Sequence, residues 1–176
     1  YWADIVRDRK FAVRYKKYHQ GNWHYFDDFW TMENGQLKII EKPAEDGGKA
    51  VPQLFEFEKT LKNPSASDAD KSIALAWILH LGGDIHQPLH CSARVTAEEP
   101  KGDQGGNLFS ITPKDTPRDK QENLHWFWDS IVKRNVVRKD DEPDAIYLAK
   151  IGKQIMKKHS FEKMQSRLRL GKFDDW

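Results

Sequence analysis

The chain has one cysteine, Cys91, which rules out an internal disulfide. That leaves its compartment open, because many exported domains carry none. Nor does it have an apolar run near the roughly 20 residues of a membrane span. It has little excess charge of either sign: the formal net charge is +2 and the sequence pI about 8.5, which permits an anionic partner without demanding one. Repeats, low-complexity tracts and a composition shift that would mark a second domain are all missing. So is the alternation of a half-buried strand, beyond short candidates at Leu37–Ile40 and Leu108–Ile111. What is present fits one all-α domain over residues 1–176, large enough for a real core. Charged residues make up 32% and the mean hydropathy is −0.82, so its surface is well solvated. Most of its seven tryptophans read as core packing.

The chemistry concentrates in His80-Leu-Gly-Gly-Asp84-Ile-His86-Gln-Pro-Leu-His90, with three histidines and an aspartate in eleven residues. His80 and Asp84 are four apart and share a helix face. Pro88 turns the chain before His90. A second such pair, His125 and Asp129, follows in Asn123-Leu-His-Trp-Phe-Trp-Asp129. One His–acid pair at this spacing is commonplace on a helix surface or as a satisfied buried histidine. Two of them plus His90, beside very apolar segments, shift the balance toward a metal, since buried carboxylates are paired or ligating and imidazole with carboxylate suits zinc.

In chain order, residues 8–18 read as a short helix or irregular segment over the core, and 31–50 as loop through Glu41-Lys-Pro-Ala-Glu-Asp-Gly-Gly48. Val51 to Leu61 has helical spacing with Pro52 in its first turn, ending at Asn63-Pro64. Ser67 caps the next helix, whose Ile73–Leu79 run is apolar on every face and predicts a central buried helix carrying His80 and Asp84. Gly82 and Gly83 fit there if a backbone or a metal cluster approaches closely. Residues 92–122 form a long polar loop with Asp103-Gln-Gly-Gly-Asn107 inside it. Leu124 to Val132 predicts one helix, and Ile146 to Met156 another, amphipathic one.

The His80–His90 stretch, Asp103-Gln-Gly-Gly-Asn107, and Asn123-Leu-His125 with Trp128-Asp129, in that order, resemble the signature of the single-strand-specific zinc nucleases, the family of nucleases S-one and P-one. That family shares its helical fold and a three-zinc cluster with zinc-dependent phospholipase C. The resemblance runs from Trp2-Ala-Asp4 to Trp176. It implies an all-α domain with long loops, lacking here the family's first helix and last helices. The amino-terminal tryptophan and the following histidine that complete the family's third zinc site have no counterpart.

Carried over residue by residue, the resemblance implies that Asp4, His24, His80 and Asp84 hold one zinc, that His90, His125 and Asp129 hold a second, and that Asp84 bridges to a third. Two to three zincs are expected. Arg7 would offset charge at the scissile phosphate. Tyr25, where the family often has Phe, would stack on a base, Asp27 would accept hydrogen bonds from it and Asn107 would line the cleft. Asp103 would support a ligating histidine. His19, His86 and His159 would not ligate. Zinc lowers the pKa of bound water to about 7, which supplies a nucleophile at neutral pH. The implied substrate is single-stranded DNA or RNA, since a base must be splayed onto Tyr25. 3′-Nucleotides are a further candidate, 5′-phosphates the product, and secretion or a periplasmic location the setting. Two other readings compete: a phospholipase C-like phosphodiesterase, and a zinc-binding fragment with impaired catalysis. Tyr25 with Asp27, and Asp rather than Glu at 129, favour the nuclease.

Overall fold

The computed structural model describes residues 2–41, 47–114, 116, 121–136, 138–167 and 171–176. The loop expected at 41–48 falls mostly on residues 42–46, outside them. The domain is mostly helical, as expected, with two small sheets added.

Its axis is α4, Asp68–Asp84. The Ser67 hydroxyl accepts the Asp70 N–H and donates to the Asp70 carboxylate, and Asp68 and Asp70 sit where the helix dipole favours acids. Ala74, Trp77 and Leu81 form its buried side, at 3.6-residue spacing. They pack on α3, Ala50–Lys62, through Ala50 and Leu54, with Ala3, Ile85 and Phe173 closing the core. Trp77 is the hub: its ring lies 5.1 Å from Trp23, 6.1 Å from a parallel Phe57 and 6.1 Å from Trp2. The expectation that α4 is buried all round is corrected. Leu75 and Leu79, one turn apart, are 48% and 72% exposed, because no described element covers that side. An apolar run cannot by itself say how many sides are covered. Nor does anything crowd both glycines: a side chain at Gly82 would meet Trp176, whereas Gly83 faces open space.

Residues 31–40 are not loop, and the candidate strand at Leu37–Ile40 forms. β1, Asp28–Glu33, and β2, Gln36–Ile40, form an antiparallel hairpin with Met32 opposite Leu37. Its turn is Asn34-Gly35, both at positive φ, the pair that matches strand twist in a two-residue turn. β3, Ser92–Arg94, joins the other side of β1 in parallel, giving the order β2-β1-β3. The candidate strand at Leu108–Ile111 shrinks to β4, Ser110–Ile111, paired with β5, Glu122–Asn123.

Short helices make up the rest. α1 is Trp2–Ile5, and α2, Ala12–Tyr18, forms as expected but buries no side chain. The single helix expected over Leu124–Val132 breaks at Ser130 into α5, Leu124–Asp129, and α6, Ile131–Asn135. The Ser130 hydroxyl donates back to the Phe127 carbonyl, a local bond that competes with the helix ladder. α7, Asp144–Lys158, spans the predicted amphipathic segment but buries only Tyr147, and α8 is Phe161–Met164.

Candidate metal centre

Two groups of side chains converge beside the lower end of α4. Trp77 and His80 lie three apart, so the side of α4 that enters the core also aims His80 at the site. His24 follows the 3-10 turn Gly21–Trp23, and its ring packs 5.6 Å from Trp77. In the first group His24 Nδ1 lies 3.0 Å from Asp84 Oδ2 and 3.0 Å from His80 Nε2, and His80 Nε2 lies 3.1 Å from Asp84 Oδ2. Asp4 approaches the His80 ring from its Nδ1 side at 3.7 Å. The other nitrogen of His24, Nε2, is buried without a hydrogen-bond partner, so the polar contacts of this ring are made inside the group. Burial opposes ionisation of Asp84, but hydrogen bonds from His24 and His80 outweigh it and hold the carboxyl far below the usual carboxylate range.

Three such atoms within about 3 Å of one another are hard to satisfy with protons. Two N–H groups aimed at the carboxylate leave both nitrogens side by side with nothing between them. One cation satisfies all three. Ligand atoms around tetrahedral zinc, with bonds of about 2.0–2.1 Å, are separated by about 3.3 Å, close to the spacing observed.

The second group makes the case by its tautomers. His90 Nδ1 donates to the His24 carbonyl at 2.6 Å, and His125 Nδ1 donates to the Gly105 carbonyl at 2.9 Å. A carbonyl can only accept, so Nδ1 carries a proton on both rings, and in the neutral imidazoles both Nε2 atoms keep lone pairs. Those lone pairs face the Asp129 carboxylate, each at 3.6 Å. Acceptors facing acceptors repel unless a cation lies between them. Fixing the inner nitrogen through the outer one is the usual support of a ligating imidazole.

Local sequence explains the placement. The Asn123 side chain accepts the Trp126 N–H and starts α5, which puts His125 and Asp129 on one face. Pro88–His90 is a 3-10 turn that swings His90 out of line with α4. The Phe26 N–H donates to the His90 carbonyl and the Asp28 N–H to the Cys91 carbonyl, tying the strand that follows His24 to the one that follows His90. Gly105, at φ +61°, lets its loop touch this turn: a Cβ there would stand 2.0 Å from the Leu89 oxygen.

Both groups border one cleft of about 480 Å³, within the range typical of ligand sites. Its lining includes Arg7, Tyr25, Asp27 and Asn107 together with His24, His90 and His125. Six of the seven residues expected to ligate thus form two groups with ligand atoms within 4.8 Å of one another, Asp4 with His24 and His80, and His90 with His125 and Asp129. Asp84 joins the first through both of its histidines, and the expected substrate contacts share the cleft. Asp27 is buried beside it, and Arg7 is an exposed residue 3.9 Å from Asp4. Asn107 is held by its own bond to the Gln104 carbonyl.

Some placements differ from expectation. Asp103 supports no ligating histidine: its carboxylate accepts the Arg94 N–H, and main-chain carbonyls hold the two Nδ1 protons instead. Lys101 and Gln104 also line the cleft, and Gln87 donates to Asp129 Oδ1 at 3.0 Å. None of these was singled out from sequence. Lys101 is one cation among many there, whereas Gln87, directly before Pro88 and His90, carried a visible positional cue. His86 turns away and donates to the Gly82 carbonyl, and His19 stacks on Tyr15.

The sequence profile of the S1/P1 nuclease family matches residues 1–176. Among curated proteins, nuclease P1 of Penicillium citrinum is 23% identical over 141 residues, 78% of this chain and 47% of its own. Nuclease PA3 of Penicillium sp matches to the same extent. Endonuclease 4 of Arabidopsis thaliana is 32% identical over 83 residues, 43% of this chain and 24% of its own. The chain thus spans about half the length of the fungal relatives it matches. No solved structure matches it significantly. With the profile covering every residue of the sequence, the chain belongs to the S1/P1 nuclease family.

Proposed function

We propose that residues 1–176 act as one zinc-dependent nuclease domain that hydrolyses phosphodiester bonds of single-stranded DNA and RNA to leave 5′-phosphates, with 3′-nucleotides as smaller substrates. The observation that carries this reading is that two candidate cation sites border the same cleft as Tyr25 and Asp27. Asp4, His24, His80 and Asp84 would hold one zinc and His90, His125 and Asp129 another; a third would share Asp84. Bound there, zinc would supply an activated water at neutral pH and neutralise phosphate charge.

The chain's own residues do the rest. Tyr25 offers a ring face to a base, a contact that tolerates any base and adds about 1–3 kcal/mol. Asp27 accepts hydrogen bonds from the same base. Arg7 places a guanidinium where negative charge grows at phosphorus. Asn107 lines the cleft from the glycine loop. A base stacked in a duplex cannot reach Tyr25, which favours single strands. The names of the relatives, two nucleases and an endonuclease, support the same class. The Tyr25–Asp27 pair favours a nuclease over a lipid phosphodiesterase.

We place the protein outside the cell or in a periplasm by family resemblance. Among the described residues no helix is long and apolar enough to cross a membrane. The test is hydrolysis of matched single-stranded and duplex DNA and of phosphatidylcholine by the zinc-loaded protein. The reading expects preferential cleavage of the single strand to 5′-phosphate ends. Cleavage of the lipid with untouched DNA would overturn it.

A further inference from the structure

Gln87 does two things with one side chain. Its Oε1 accepts the Leu89 N–H at 2.6 Å, capping the Pro88–His90 turn. Its Nε2 donates to Asp129 Oδ1 at 3.0 Å, forty-two residues away. His90 and Asp129 belong to the same group but come from separate elements, and Gln87 is the one side chain among the described contacts that bonds to both the turn and the carboxylate.

Asp129 needs that support. Its side chain is 48% exposed, whereas those of His90 and His125 are 15% and 16% exposed. It stands at the end of a six-residue helix that buries no residue fully. The two histidines have their rings set by main-chain carbonyls. A charge-assisted bond from an amide to one carboxylate oxygen fixes the rotamer and leaves Oδ2 toward His125.

We propose that Gln87 is the positioning residue of the second group: it sets the Asp129 carboxylate against His90 and His125 and so determines the affinity of that group alone for a divalent cation. The inference rests on the metal reading above, since it concerns cation binding by the same residues. Outer partners of metal ligands are typically worth about 10–100-fold in affinity, and the loss expected without Gln87 is about tenfold.

The experiment is competition for zinc between the full chain and a chromophoric chelator, without any nucleic acid, for wild type, Gln87→Met and His125→Ala. Gln87→Met keeps the volume and removes both bonds; His125→Ala identifies the second ion. The inference expects Gln87→Met to weaken, about tenfold, the same ion that His125→Ala abolishes, and to leave the other unchanged. Gln87→Asn, restoring an amide on a shorter arm, should recover part of the loss. If both ions weaken equally, Gln87 is only a structural cap and the inference fails. If neither changes, it also fails. A wild type that binds no zinc would instead remove the metal reading itself.

Discussion

The two candidate cation groups stand side by side and are built differently. The first is pressed together by the core. Its side chains His24, His80 and Asp84 are 9%, 10% and 15% exposed, and their ligand atoms lie 3.0–3.1 Å apart; only Asp4, half-exposed and 3.7 Å from His80, stands at its edge. The second is assembled from a turn, a glycine loop and a short helix, with its carboxylate half in solvent and its contacts at 3.6 Å. Packing around Trp77 sets the first, and hydrogen bonds set the second. A site held by packing is stiff and tolerates the loss of a single bond. A site held by bonds can be tuned one residue at a time.

Breaking the comparison outright requires removal of a ligand. Asp84→Ala takes away the atom closest to both histidines of the first group. Nuclease activity should fall by more than the roughly 10–100-fold typical of outer partners, with loss of the first ion by elemental analysis. His90 and His125 should still retain theirs. Gly105→Ala attacks the second group through its backbone. The new Cβ would collide with the Leu89 carbonyl at a φ of +61°, and the Gly105 carbonyl would leave His125. A loss of about 1–3 kcal/mol in stability is expected from the strain, read by urea unfolding, together with weaker binding of the second ion only.

Both contrasts show what the sequence made legible. The i, i+4 spacing and Pro88 are local, so the ligand pairs, the capped α4 and the turn to His90 could be read directly. The supports were not legible, because they are main-chain carbonyls: the His24 oxygen and the Gly105 oxygen carry no residue-type signature. The support expected of the Asp103 side chain is therefore supplied by the backbone. Of the hairpin, the second strand was legible as the candidate at Leu37–Ile40 and the first was not. That first strand, Asp28–Glu33, mixes charged with aromatic residues and shows no clean alternation. The apolar run of α4 overstated burial, because Leu75 and Leu79 face solvent.

Smaller effects sharpen the same divide. Tyr25→Ala should raise KM for a single-stranded oligonucleotide about tenfold, the equivalent of about 1.4 kcal/mol of lost stacking, while zinc content stays at the wild-type level. On α4, Trp77→Ala should destabilise the fold by about 3–5 kcal/mol. Leu79→Ser, on the exposed side of the same helix, should change it by no more than about 0.5 kcal/mol. Thermal unfolding of the two variants reads that contrast.

The most direct test of two separate cation sites serving one cleft is zinc content per chain in wild type, His80→Ala and His125→Ala, each with its rate on single-stranded DNA. The account predicts at least two ions in wild type, a different one missing in each variant, and cleavage lost in both. Unchanged zinc in both variants, or full cleavage by either, would contradict it.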